Sequence, residues 1–151
     1  MPSQVAKSAA WLSTYRQTTR IISNNLRPEM RVESMKNTLN IYKGDQPIYR
    51  HVFHAKNFLS RLRGLLGRPQ LQADEGLLLT PCAQVHTLGM RYPLDIIFLD
   101  KAGKVLKCVE ALKPNRFSAA SKAHHTLEVS EGSIERTGIK AGDQLNWEGL
   151  G

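Results

Sequence analysis

Pro93-Leu94-Asp95-Ile96-Ile97-Phe98-Leu99-Asp100-Lys101-Ala102-Gly103 is the stretch that decides the fold. In an extended chain Leu94, Ile96 and Phe98 point to one side, and Ile97 and Leu99 to the other. A strand that is apolar on both faces is buried on both, so Leu94 to Leu99 is expected to run inside a sheet. Asp100 to Gly103 supplies a turn, and Lys104 to Leu112 alternates as the antiparallel partner.

Working outward, Thr38 to Tyr42 and Ile48 to Phe53 alternate around Gly44-Asp45-Gln46-Pro47, which predicts a hairpin. Asn57 to Leu66 places Phe58, Leu62, Leu65 and Leu66 on one stripe, with Gly67 to end a helix and Pro69 beyond it. Gly76 to Leu79, Gln84 to Thr87, Thr126 to Val129 and Asp143 to Trp147 are further expected strands, and Ser133 to Thr137 is one helical turn before Gly138. The pattern predicts six to eight short strands. It is that of a mainly β (α+β) domain over 38–151, either a compact β-sandwich or a partly open β-barrel with one or two short helices.

Residues 1–37 differ in texture, being rich in Ser, Thr, Asn and Arg. Three readings stand: a disordered extension, a basic amphipathic helix carrying Trp11, Tyr15, Ile22 and Leu26, or leader sequence upstream of a start at Met30 or Met35. Pro28 and Ser23-Asn24-Asn25 interrupt the helical pattern and weigh against the second. Ala9 to Leu12 is too short for a secretory signal, and no apolar run approaches the roughly 20 residues of a spanning helix. The expectation is a soluble, cytoplasmic protein. The formal net charge is +8. Five basic residues against two acids lie before Lys36, and the remainder is interleaved with eleven acids. Apart from Arg61, Arg63 and Arg68 no cluster forms, so nucleic acid is not the expected partner. Two cysteines, Cys82 and Cys108, are expected to be reduced thiols in strands.

Four blocks occur in order and register: Arg61-x-Arg63-Gly64-Leu65-Leu66-Gly67-Arg68, Pro93-Leu94-Asp95 through Gly103, Leu127-Glu128-Val129-x-x-Gly132, and Gly138-Ile139-x-x-Gly142-Asp143. Over Thr38 to Trp147 the chain thereby resembles the prokaryotic family catalogued as domain of unknown function 192 (DUF192). The resemblance implies a compact, mainly β single domain and no assigned biochemical role. Many members carry an aromatic-Met-Lys-Asn-Thr run before the Pro-Leu-Asp. Here His86-Thr87-Leu88-Gly89-Met90-Arg91 follows Pro81-Cys82 instead, so nothing proposed for that run transfers.

Cys82 and His86, four apart on a strand, would lie about 13 Å apart, too far to chelate one ion. His51 and His54 would face opposite ways, and only a loop bringing in His124 or His125 would make a metal site. No metal or other cofactor is expected. Cys82 and His86 as nucleophile and base lack any cysteine-enzyme signature around them. The Gly64 to Gly67 stretch ends a helix and lacks the Gly-Lys-Ser/Thr of a phosphate loop. Asp95 opens an apolar strand and must be satisfied there, by backbone N–H groups or by Arg91 or Arg63. The functional alternative groups Asp95 with Cys82, His86, Thr87 and Arg91 at a barrel mouth, with Arg63 and Glu128 as further candidates. Two function classes follow: a domain binding a small ligand or peptide near His86, Arg91 and Asp95, or a non-catalytic accessory module docking on a protein through the Arg61–Arg68 helix or a strand edge.

Overall fold

The computed structural model describes residues 38–56 and 70–149. The chain divides into two units, Met1–Lys36 and Asn37–Gly151, and the described residues belong to the second. The helix expected over Asn57 to Leu66, with Arg61, Arg63 and Arg68, lies outside them. The strands are β1 (Thr38–Lys43), β2 (Gln46–Ala55), β3 (Glu75–Leu79), β4 (Gln84–His86), β5 (Leu94–Leu99), β6 (Val105–Leu112), β7 (Phe117–Ala119), β8 (His125–Ser130) and β9 (Leu145–Gly149), with one short helix, α1 (Ser133–Thr137). Among the described residues that makes nine strands, where the pattern predicts six to eight. The one unpredicted is β7, whose three residues carry no alternation long enough to read.

Seven strands form one sheet in the order β6-β5-β8-β3-β2-β1-β9, while β4 and β7 pair separately. β2 and β3 run parallel; the other paired neighbours are antiparallel. The large sheet curls until its two edges meet at one end. There Lys104 bridges Gln144, Val105 N–H donates to Asp143 O at 2.8 Å, and Leu145 N–H donates to Gly103 O at 2.9 Å. Gly103 makes this closure possible: its φ is +90°, and a Cβ there would strike the Leu145 carbonyl oxygen. Of the two expected architectures, the partly open barrel is the one formed.

Every residue of β5 is buried, and its two faces feed two cores. Ile97 and Leu99 join Ile41, Tyr49, Val52, Leu78, Leu127, Val129 and Leu145 inside the curl. Leu94, Ile96 and Phe98 join Ala55, Leu77, Leu79 and Val85 on the outer face. Val85 belongs to β4, so the small two-stranded sheet lies over that outer face. Each large side chain so buried contributes about 1.5–3 kcal/mol, which is why the strand apolar on both sides organises both layers.

Candidate functional site

The chain leaves β3 at Thr80, runs through β4 to Pro93 and enters β5; it leaves β6 at Leu112, runs through β7 and enters β8 at His125. These two excursions form a lobe. β4 and β7 pair as Gln84↔Ala119, Val85↔Ser118 and His86↔Phe117. Thr87 ties the lobe's far end together. Its buried hydroxyl donates to Lys113 O at 2.6 Å and accepts from Arg116 N–H at 2.9 Å. Its main chain accepts from Asn115 N–H at 3.0 Å and donates to Arg116 O at 2.9 Å. Thr87 is thus a clasp between loops, with its hydroxyl occupied.

Around this clasp the surface is unusual for its apolar content. Leu88 is 59% exposed and Phe117 63%, the exposed large hydrophobics among the described residues. His86, Arg91, Lys113 and Arg116 are exposed beside them. Residues 76–94 and 111–127 hold no aspartate or glutamate, so the lobe carries cations without a counter-charge of its own. No ion pair engages Arg91, Lys113, Arg116 or Lys122 among the described residues. The acid-free runs are visible in the sequence, but they become one surface only when β4 pairs with β7.

Asp95 is elsewhere. It is 1% exposed and faces the inner core opposite Val129, whereas β4 covers the outer face. Its Oδ1 accepts Ala111 N–H and its Oδ2 accepts Ile134 N–H, both at 2.8 Å. Ala111 sits where the β5–β6 register slips between Leu94↔Leu112 and Ile96↔Val109, with a left-handed φ of 48°. Ile134 is in the first turn of α1, whose Gly132 cap supplies no side-chain acceptor. Asp95 therefore caps a helix from a neighbouring strand and pins a bulge at once. This is the structural reading of Asp95, with backbone donors rather than an arginine, and it separates Asp95 from His86 and Arg91.

Glu128 follows different rules. It pairs across strands with Leu77 and Ile96 on the outer face and is 7% exposed. Among the described residues its carboxyl has no hydrogen-bond or ion-pair partner, and burial pushes its pKa up to about 7. Cys82, half-buried under the lobe, donates its thiol to Gln84 O at 3.1 Å. Cys82 and Cys108 are both free thiols.

The chain as a whole is similar to known proteins. The DUF192 family model, described as an uncharacterized ACR, matches residues 30–147. The chain belongs to the DUF192 family. A UPF0127 protein of Pyrococcus furiosus is 36% identical over 113 residues, 72% of this chain and 96% of the relative. A UPF0127 protein of Thermococcus sibiricus is 29% identical over 99 residues, 62% of this chain and 64% of its own length. A solved protein of unknown function from Novosphingobium aromaticivorans superposes with a TM-score of 0.64 at 24% identity, covering 73% of this chain and 84% of its own. A solved putative transcription regulator from Sinorhizobium meliloti also gives 0.64, at 22% identity, covering 74% of this chain and 93% of its own. These two show the shared fold.

One feature of the DUF192 domain escaped the sequence: the neck of the lobe. Cys82 N–H donates to His124 O at 2.9 Å, and Thr126 Oγ1 donates to Cys82 O at 2.9 Å. Beside this pair the Thr80 hydroxyl lies 2.9 Å from His54 Nε2 and 2.7 Å from His125 Nδ1. His125 also hydrogen-bonds the Lys101 backbone. A carbonyl there takes the Nε2 proton and leaves Nδ1 as acceptor, so the chain runs His54 N–H to Thr80 O–H to His125. Burial lowers the pKa of both rings, that of His54 to about 4. A hydroxyl against an imidazole suggests a nucleophile, but its surroundings do not support one. Thr80 N–H is bonded to Ala55 O, Pro81 has no N–H, and Cys82 N–H is taken by His124, so no main-chain donor of these residues remains for an oxyanion. The three strand ends that meet here are remote in sequence, and no spacing rule would have joined them.

Proposed function

We propose that the domain is a non-catalytic binding module whose recognition surface is the β4–β7 lobe. The observation that carries this is the coincidence of Leu88 and Phe117, both more than half exposed, with His86, Arg91 and Arg116 on one lobe. Exposed large apolar side chains ringed by cations cost solubility and contribute nothing to the core, which is the usual signature of a contact surface. In this reading His86 and Arg91 contribute to the surface, and Asp95, bonded to the main chain of the inner core, does not. The test is native mass spectrometry of wild type beside a Leu88→Ser/Phe117→Ser variant. A species co-purifying with wild type and lost from the variant is the expected result. A species retained equally by both, or none on wild type, overturns the reading.

Glu128 favours a second reading, in which a small ligand bearing a cationic or N–H group lies beneath the lobe against that carboxyl. A buried acid without a partner is held at a cost to stability, as functional groups often are. A small amine that co-purifies with wild type, and is lost in Glu128→Gln but not in the Leu88→Ser/Phe117→Ser variant, distinguishes it from the first.

A further inference from the structure

The kind of partner can be read from the lobe, given that the lobe is the binding surface. We infer that it takes an extended, acidic segment of a partner protein, which adds as a third strand beside β4. Three features converge on that occupant.

The first is an edge. β4 has β7 on one side and no strand on the other among the described residues, whereas β7's far side is covered by Lys107, whose Nζ donates to Ser118 Oγ and Ala119 O. Ala120 N–H donates to Ala83 O, and Thr87 N–H to Arg116 O. Ala83 and Thr87, which flank β4, therefore bond toward β7, and by alternation the main-chain groups of Gln84 and His86 point away from it. Such an outward row is a template for an added strand, and the Cys82 thiol covers only the Gln84 carbonyl of that row.

Charge is the second. Arg91, Lys113 and Arg116 are exposed on two runs without acids, so a segment rich in aspartate or glutamate meets attraction along the lobe and no carboxylate of the lobe itself. The third is the pair of apolar anchors. An added strand has alternating side chains, and Phe117 and Leu88 give its apolar ones somewhere to go. A nucleic acid would use the cations and stack on Phe117, but would leave Leu88 and the β4 edge unused. The peptide uses all three.

Fluorescence anisotropy with a labelled peptide of alternating glutamate and valine, its lysine–valine counterpart and oligo(dT) tests this on the full chain. The acidic peptide is expected to bind, to weaken with added salt, and to lose roughly tenfold in affinity in an Arg91→Glu/Arg116→Glu variant. His86→Pro, which removes one outward N–H, is expected to weaken it further while circular dichroism stays unchanged. If that variant is misfolded, the arginine reversals carry the test, since both side chains are exposed. No binding of the acidic peptide, or equal binding of the basic one, overturns the acidic-strand inference. Tighter binding of oligo(dT), lost in Leu88→Ser/Phe117→Ser, overturns the inference while keeping the lobe as the site. Acidic-peptide binding untouched by every lobe substitution overturns both.

Discussion

Two carboxylates on adjacent strands, Asp95 and Glu128, face opposite sides of one sheet and are treated in opposite ways. Asp95, in the inner core, has each oxygen on a main-chain N–H at 2.8 Å. Glu128, in the outer layer, has a raised pKa and no partner among the described residues. Burial is nearly equal, so desolvation alone does not separate them; the supply of donors does. Inside the curl a bulge and a helix terminus bring two orphan N–H groups to one point. Outside, Glu128 has only apolar side chains across from it in β3 and β5. The inner face satisfies its carboxylate, whereas the outer face holds one with no partner among the described residues.

The largest effect that would break this contrast is at Asp95. Asp95→Ala leaves two buried donors unpaired and is expected to cost about 2–5 kcal/mol, with Asp95→Asn in between because it keeps one acceptor. Urea midpoints at constant slope measure it, and wild-type stability in the alanine variant would refute the structural role.

Glu128 should move the other way. Its folded pKa of about 7 lies above its ordinary 4.5, so the native state holds the proton more tightly. That contribution is complete below pH 4.5 and is lost as pH rises through 7, amounting to about 3 kcal/mol. Glu128→Gln should therefore match wild type near pH 4 and exceed it by up to that amount at pH 8. A variant less stable than wild type at pH 8 would mean that the carboxylate has a partner.

The neck sharpens the comparison through pH. The His54 pKa, lowered from 6.5 to about 4, gives stability that is complete above 6.5 and lost as pH falls toward 4. Over the window they share, this slope opposes that of Glu128, so the wild-type profile is expected to be flatter than that of either single variant. Imidazole signals followed by NMR should show His54 neutral down to about pH 4; protonation near 6.5 would show that the neck chain is open in solution. Smallest of all, Leu88→Ser and Phe117→Ser should each shift stability by less than about 0.5 kcal/mol, since both side chains are mostly in water. A larger loss by chemical denaturation would place them in the core.

What the sequence disclosed followed the range of the interactions. β5 was legible because alternation along six residues is local, and the β1–β2 hairpin because its turn chemistry is. β7 was not, since Phe117-Ser118-Ala119 puts its aromatic outward and is held by pairing with β4. For Asp95 the sequence showed that a partner was required, but not that Ala111 and Ile134 would provide it. A bulge and a remote helix turn leave no pattern at those positions. The His54–Thr80–His125 chain joins the ends of three strands and was invisible for the same reason.

The first and last strands of the domain are neighbours: β1 pairs with β9 from Leu39↔Gly149 to Lys43↔Leu145. As the chain is synthesised, β1 can zip onto β2 early, but its other edge waits for nearly the whole domain to emerge. Until β9 arrives, the inner core lacks Leu145 and the curl cannot shut through Gly103. The same adjacency makes the described domain a natural subject for circular permutation. Joining residue 149 to residue 38 by a short linker and opening the chain in the 140–143 turn keeps every strand pair and moves the late step to a different strand.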